Sequence, residues 1–168
     1  MMGERDFRTE GSMVGRMTKV YIETSALSRY YDDTDPIRRD PTRAFFGRVA
    51  RKELEAVTSE TTVAEVRRSS PDLAVRLEAL IAALGLPILP ESREATELAK
   101  AYLGAGIIPA DEPEDAVHVA LAVLHRVDVI ATWNLKHMAN FRAISAVNKL
   151  NTQRGLSHIE ILTPEQIP

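Results

Sequence analysis

The stretch TKVYIETSALSRYYDD, residues 18–33, sets a short run of β-branched and aromatic residues, Val20-Tyr21-Ile22, directly against a carboxylate, Glu23, and a hydroxylated pair, Thr24-Ser25. The run reads as a buried strand. A lone negative charge at a strand tip is costly unless something receives it. The reading of the whole chain therefore turns on whether acidic residues recur at comparable positions further along.

Working outward, the pattern alternates. A helix begins in SALSRYY, and DDTDPIRRDP reads as a polar loop with two prolines. Residues 42–53 have apolar positions at helical spacing, 54–59 (LEAVTS) form a strand, and a helix starts near Thr61. PDLAVRLEALIAALG (71–85) is an amphipathic helix with Pro in its first turn and Gly at its end. LPILP (86–90) is a strand between breakers, and REATELAKAYLGAG (93–106) a helix closed by glycines. EPEDAVHVALAVLHR (112–126) is apolar on nearly every side, so it is expected to be buried. VDVIATW (127–133), FRAISAVNKLNTQRG (141–155) and HIEIL (158–162) read as strand, helix and strand. Strands alternating with helices predict an α/β fold with a parallel sheet covered on both faces.

The bulk properties fit one domain. A length of 168 residues allows a sizeable core, and 45% hydrophobic with 27% charged residues describes a globular chain. Residues 1–17 have charges and glycines but no apolar segment, so they read as a flexible leader before a single domain over 18–168. No apolar run reaches the length of a membrane span. The absence of cysteine excludes disulfides and thiolate metal sites and points to a cytoplasmic setting. A net charge of −3 argues against a broad nucleic-acid-coating surface but leaves room for a local basic groove.

In open α/β sheets, sites form beyond the carboxyl ends of the strands. Glu23 follows the first strand. Glu65 lies about one turn into the helix after the second. Asp115 opens the nearly all-apolar helix, where the helix N-terminus favours a carboxylate by about 0.3–1 kcal/mol. If the three converge, each pair about 5 Å apart repels by about 3 kcal/mol at an effective dielectric near 20. A hard divalent cation with oxygen ligands, Mg²⁺ or Mn²⁺, resolves that conflict and also serves phosphodiester hydrolysis. Each acidic residue has a plainer reading: a strand-tip charge for Glu23, a solvated helix residue for Glu65, a helix cap for Asp115. The signal is their shared sheet edge.

VYIETSALSRYY, VTSETTVAEV, EPEDAVHVALA and VIATWNLKHM together resemble the successive motifs of PIN-domain proteins, nearest the VapC-like toxins of type II toxin–antitoxin systems. The resemblance spans residues 18–163. It implies a three-layer α/β/α sandwich around a central parallel sheet and a Mg²⁺- or Mn²⁺-dependent ribonuclease acting on RNA. It also implies a cognate antitoxin as partner, and homodimers are common in such a family. The family's acidic positions fall on Glu23, Glu65 and Asp115 as metal ligands, with a fourth on Asn134. Two departures stand out. Glu23 replaces the more usual Asp and shifts the carboxylate by more than an ångström, and Asn134 is neutral. One metal held more weakly is then expected rather than two held tightly.

Around these positions, Thr24, Ser25, Thr132 and Lys136 are candidate contacts to substrate or to water at the site, Ser25 having the alternative of capping the following helix. His118, three residues after Asp115, shares its helix face and either orients that carboxylate or is a satisfied core histidine. Trp133 either stacks on a base or packs on the sheet. His137, Arg38, Arg39, Arg43, Arg67 and Arg68 are candidate phosphate contacts or solvated surface charges. No Walker loop, dinucleotide fingerprint or Ser-His-Asp order occurs. Two other readings stand beside the nuclease: a non-catalytic PIN-fold module binding RNA or an antitoxin, and a phosphohydrolase on a related α/β fold. The last lacks the Asp-x-Asp arrangement, since Glu23 is followed by Thr24-Ser25.

Overall fold

A computed structural model describes residues 15–168. The proposed leader, residues 1–17, therefore lies outside the described residues but for its last three. Arg16, at that end, pairs with Asp128. The elements run β1 (Lys19–Ile22), α1 (Thr24–Arg29), α2 (Pro36–Ala50), β2 (Glu55–Ser59), α3 (Glu60–Arg67) and α4 (Pro71–Leu84). Then follow β3 (Ile88–Leu89), α5 (Arg93–Gly104), α6 (Pro113–Leu124), β4 (Val129–Ala131), α7 (Phe141–Gln153), β5 (Glu160–Leu162) and a 3₁₀ turn at Pro164–Gln166. All pairings are parallel, in the order β3-β2-β1-β4-β5. This is the expected α/β/α sandwich.

The period-two geometry of β1 divides the core. Val20 and Ile22 face one apolar cluster with Phe45, Phe46, Leu77 and Val129. Tyr21 faces the other, with Tyr102, Leu121, Ile130 and Ile161. Helix α6, apolar almost all round, supplies Ala116 and Val119 to Val123 to that second cluster.

One difference from the sequence reading is instructive. DDTDPIRRDP is not wholly a loop: α2 begins at Pro36, with Asp35 capping it by accepting from the Arg38 N–H at 3.2 Å. Proline at the first helical position loses no bond that the helix would make. Pro41 does lack a donor, yet the helix continues past it, its Phe45, Phe46 and Val49 fixed in the core.

β1 is the centre of the sheet and the strand order reverses around it. From β1 the chain moves outward through β2 to β3, then crosses back to β4 on the other side. The crevice beyond the carboxyl ends of β1 and β4 is therefore the topological switch point. Glu23 and Thr132 stand at its two sides, joined by the β1–β4 register that pairs Ile22 with Ala131.

Replacement of the fully buried Leu121 by Ala is expected to cost about 2–5 kcal/mol in urea unfolding with an unchanged m value.

Candidate active site

Glu23 is at once the N-cap of α1 and a buried acid, 5% exposed. Its Oε2 accepts from the Ser25 N–H at 2.9 Å and the Thr132 hydroxyl at 2.7 Å, as well as from the Ser25 hydroxyl. The capping role read for Ser25 thus belongs to Glu23. Ser25 instead ties β1 to β4, its Oγ accepting from the Trp133 N–H at 2.8 Å. All three bonds fall on one carboxylate oxygen, leaving Oε1 free of protein donors among the described residues.

Glu65 projects from α3, whose start is fixed by Ser59 capping the Thr62 N–H at 3.1 Å. Its Oε2 accepts from the Thr24 hydroxyl, and both oxygens lie 3.1–3.2 Å from Nε2 of His118. His118 is fully buried, and its Nδ1 meets the Tyr21 hydroxyl at 2.6 Å, which in turn meets Ser59 Oγ at 2.6 Å. Of the two readings of His118, orienting Asp115 or being a satisfied core histidine, the second describes it. It reaches across to α3.

Asp115, 9% exposed, opens α6. Its Oδ2 accepts from the Asn134 amide at 2.8 Å and lies 3.4 Å from Nδ1 of His137, which is also 3.5 Å from Glu112. Asn134 keeps its own Oδ1 occupied by the His137 N–H at 3.0 Å. In this arrangement Asn134 presents a donor, not a carbonyl ligand, to the neighbouring acid. An aspartate there would have no amide to donate.

Single ligand atoms of Glu23, Glu65 and His118 lie within 4.8 Å of one another, and those of Glu112, Asp115 and His137 form a second such group. The expected trio is thus split at this distance: Glu23 and Glu65 meet, while Asp115 stands one step away. It still feels Glu23. Burial pushes the Asp115 carboxyl up, the Asn134 hydrogen bond opposes that, and the Glu23 charge adds to the rise, leaving a raised pKa.

Glu65 ends the other way. Burial would raise it, but the hydrogen bond and charge of His118, with the Thr24 hydroxyl, hold it below the usual carboxylate range. Burial would lower His118; the Tyr21 hydroxyl and the Glu65 carboxylate outweigh that and keep the imidazole well above its ordinary value. Glu65 and His118 therefore form a buried ion pair.

The donor set fits a hard divalent cation. Glu23 and Asp115 each commit one oxygen to protein donors, and the other accepts no protein hydrogen bond among the described residues. Fixed carboxylates with a free oxygen are the ligands that Mg²⁺ and Mn²⁺ take.

Thr24 directs its hydroxyl to Glu65, and Ser25 and Thr132 direct theirs to Glu23. Trp133 packs at 8% exposure, its Nε1 donating to Thr42 at 2.8 Å, with Arg38 over its ring. Arg38, Arg39, Arg43, Arg67 and Arg68 are each ion-paired with Asp or Glu, whereas Lys136 is exposed. Glu112 and Tyr21 were not singled out from the sequence. Tyr21 reads there as strand filling, and Glu112 as one of several acids before a helix.

A parallel α/β sheet that gathers buried acids at its switch point defines a class of protein built around an anionic cleft. The PIN domain family model matches residues 20–140, well over half of the chain, and the chain belongs to that family. No curated protein matches it. PIN domains are generally nucleases. Among the described residues no helix is long and apolar enough to cross a membrane.

The opposite shifts predict opposite stabilities in metal-free protein. Asp115→Asn removes a disfavoured charge and is expected to raise Tm near pH 7, while Glu65→Gln strands buried His118 and is expected to lower stability by about 1–3 kcal/mol. The ion pair has its own pH window. The His118 contribution is full below its unfolded value of 6.5 and is lost as pH rises through its raised folded value. The Glu65 contribution is full above its unfolded value of 4.5 and is lost as pH falls through its lowered one. Thermal unfolding from pH 2.5 to 9 follows both edges; in Glu65→Gln the acid edge is expected to vanish and the alkaline one to shrink, since Tyr21 and Glu23 still act on His118.

Proposed function

We propose that this protein is a Mg²⁺- or Mn²⁺-dependent endoribonuclease of the VapC-like toxin type, cytoplasmic, held in check by a cognate antitoxin and able to form a homodimer. The observation that carries the reading is the meeting of Glu23 and Glu65 within 4.8 Å, with Asp115 close enough for its carboxyl to be raised by the Glu23 charge. His118 offsets the charge of Glu65, and the repulsion left between Glu23 and Asp115 is what a small cation relieves.

Glu23, Glu65 and Asp115 would hold the ion. When bound it supplies Lewis acidity toward a phosphodiester oxygen and toward the attacking water. Ser25, Thr132 and Thr24 keep the carboxylates aimed into the cleft, and Asn134 steadies Asp115. Water attacks phosphorus in line and gives up a proton to solvent, the bond to the leaving ribose oxygen breaks, and that oxygen takes up a proton from solvent. Lys136, exposed on the same turn as Asn134, would contact the strand's phosphates, which sets position without reading sequence.

A second reading is a PIN-fold module that binds RNA or the antitoxin without turnover. It is favoured by one observation: the His118 imidazole lies against both Glu65 oxygens, on the side where a cation would compete with it.

The test is cleavage of a labelled RNA with Mg²⁺ or Mn²⁺ and with chelator. The expected outcome is metal-dependent cleavage, reduced about 100-fold or more in Asp115→Asn and Glu65→Gln. Metal-dependent cleavage that Asp115→Asn leaves unchanged removes the mechanism, and binding without cleavage under any metal selects the second reading.

A further inference from the structure

Beside the acidic cleft lies a cavity of about 270 Å³, walled by Leu103, Ile107 and Pro109 on one side and by Lys136, His137 and Arg142 on the other. It is a little smaller than pockets that enclose drug-sized ligands, a size suited to one base. His137 forms the partition: it lines this cavity while its Nδ1 stands 3.4 Å from Asp115. The turn carrying Lys136 is braced, with the Asn140 amide donating to the Leu135 and Lys136 carbonyls at 3.3 and 3.1 Å. Asn140 also caps α7, accepting from the Ala143 N–H at 2.9 Å.

Two features meet at this corner. Lys136 and Arg142 are exposed and, among the described residues, have no acidic partner within ion-pair distance, unlike the five arginines first considered for RNA contact. Phe141, between lining residues Asn140 and Arg142, is 87% exposed. An aromatic side chain standing in water beside unneutralised cations is the combination that binds single-stranded nucleic acid, by stacking and phosphate attraction.

We infer that the corner formed by Lys136, Phe141 and Arg142 is the subsite that receives the single-stranded RNA nucleotide flanking the scissile phosphate, with its base on Phe141 or in the apolar half of the cavity and its phosphates on the two cations. This rests on the ribonuclease reading and adds to it the means by which an acidic cleft in a protein of net charge −3 draws in a polyanion. A duplex cannot splay a base in this way, so the subsite selects unpaired RNA.

The test measures binding without turnover. Fluorescence anisotropy of a labelled ten-nucleotide single-stranded RNA is recorded in EDTA across a salt series, for wild type, Phe141→Ala and Arg142→Glu. Each phosphate contact to a single strand contributes a salt slope of about 0.7, so Arg142→Glu is expected to weaken binding about fivefold or more at 0.1 M salt and to flatten the slope. Phe141→Ala is expected to weaken it about fivefold or more at every salt concentration, with Tm unchanged because the ring is exposed. Wild-type affinity in both variants overturns the subsite, even where metal-dependent cleavage persists and the ribonuclease reading stands. Wild-type protein that neither binds nor cleaves RNA overturns both. Loss of a co-purified protein partner in Phe141→Ala, with RNA affinity intact, also overturns it and makes the corner a protein-docking site.

Discussion

Two carboxylates, Glu23 and Glu65, are held within 4.8 Å of each other at the mouth of the sheet, and the local structure is organised around making that proximity tolerable. The repulsion is about 3 kcal/mol at an effective dielectric near 20. Against it stand the donors on Glu23 Oε2, the Thr24 hydroxyl on Glu65, and the buried imidazole of His118. The two acids are treated differently. Glu23 is braced by neutral donors, whereas Glu65 is neutralised by a cation from the protein's own core.

The bracing explains why small hydroxylated residues surround the site. Thr24, Ser25 and Thr132 come from the ends of β1 and β4, and their hydroxyls reach the acids without filling the cleft. Ser25 links the loops after the two strands by accepting from the Trp133 N–H. Behind Glu65, the chain His118–Tyr21–Ser59 runs through the sheet to the cap of α3. The position of Glu65 is thereby coupled to the helix that bears it and to the central strand. Asp115 is left partly uncompensated, and its raised pKa marks it as the member of the group that a cation would relieve most.

The fold was legible in the sequence because both its signals are local. Apolar runs between breakers mark VYI, LEAVTS and VDVIATW as strands, and helical spacing marks what lies between. The start of α2 was missed because Pro36 and the acids around it resemble a loop until Asp35 is recognised as a cap. The acids were legible as positions: each follows a strand or opens a helix at the same edge. Their partners were not. His118 shares a helical face with Asp115 in one dimension, yet bonds to Glu65 because α3 and α6 pack side by side. Likewise Asn134 reads as a missing charge, while its amide donates to Asp115, a role that only the turn from Asn134 to His137 reveals.

The central claim, that these separate acids form one cation site, is tested most directly by titrating Mn²⁺ into metal-free protein and following the free-ion signal by electron paramagnetic resonance. The account predicts saturable binding of one ion per chain, lost in Glu23→Gln even though its Tm stays near that of the wild type. Absence of saturable binding up to millimolar Mn²⁺, or binding that Glu23→Gln leaves intact, contradicts it.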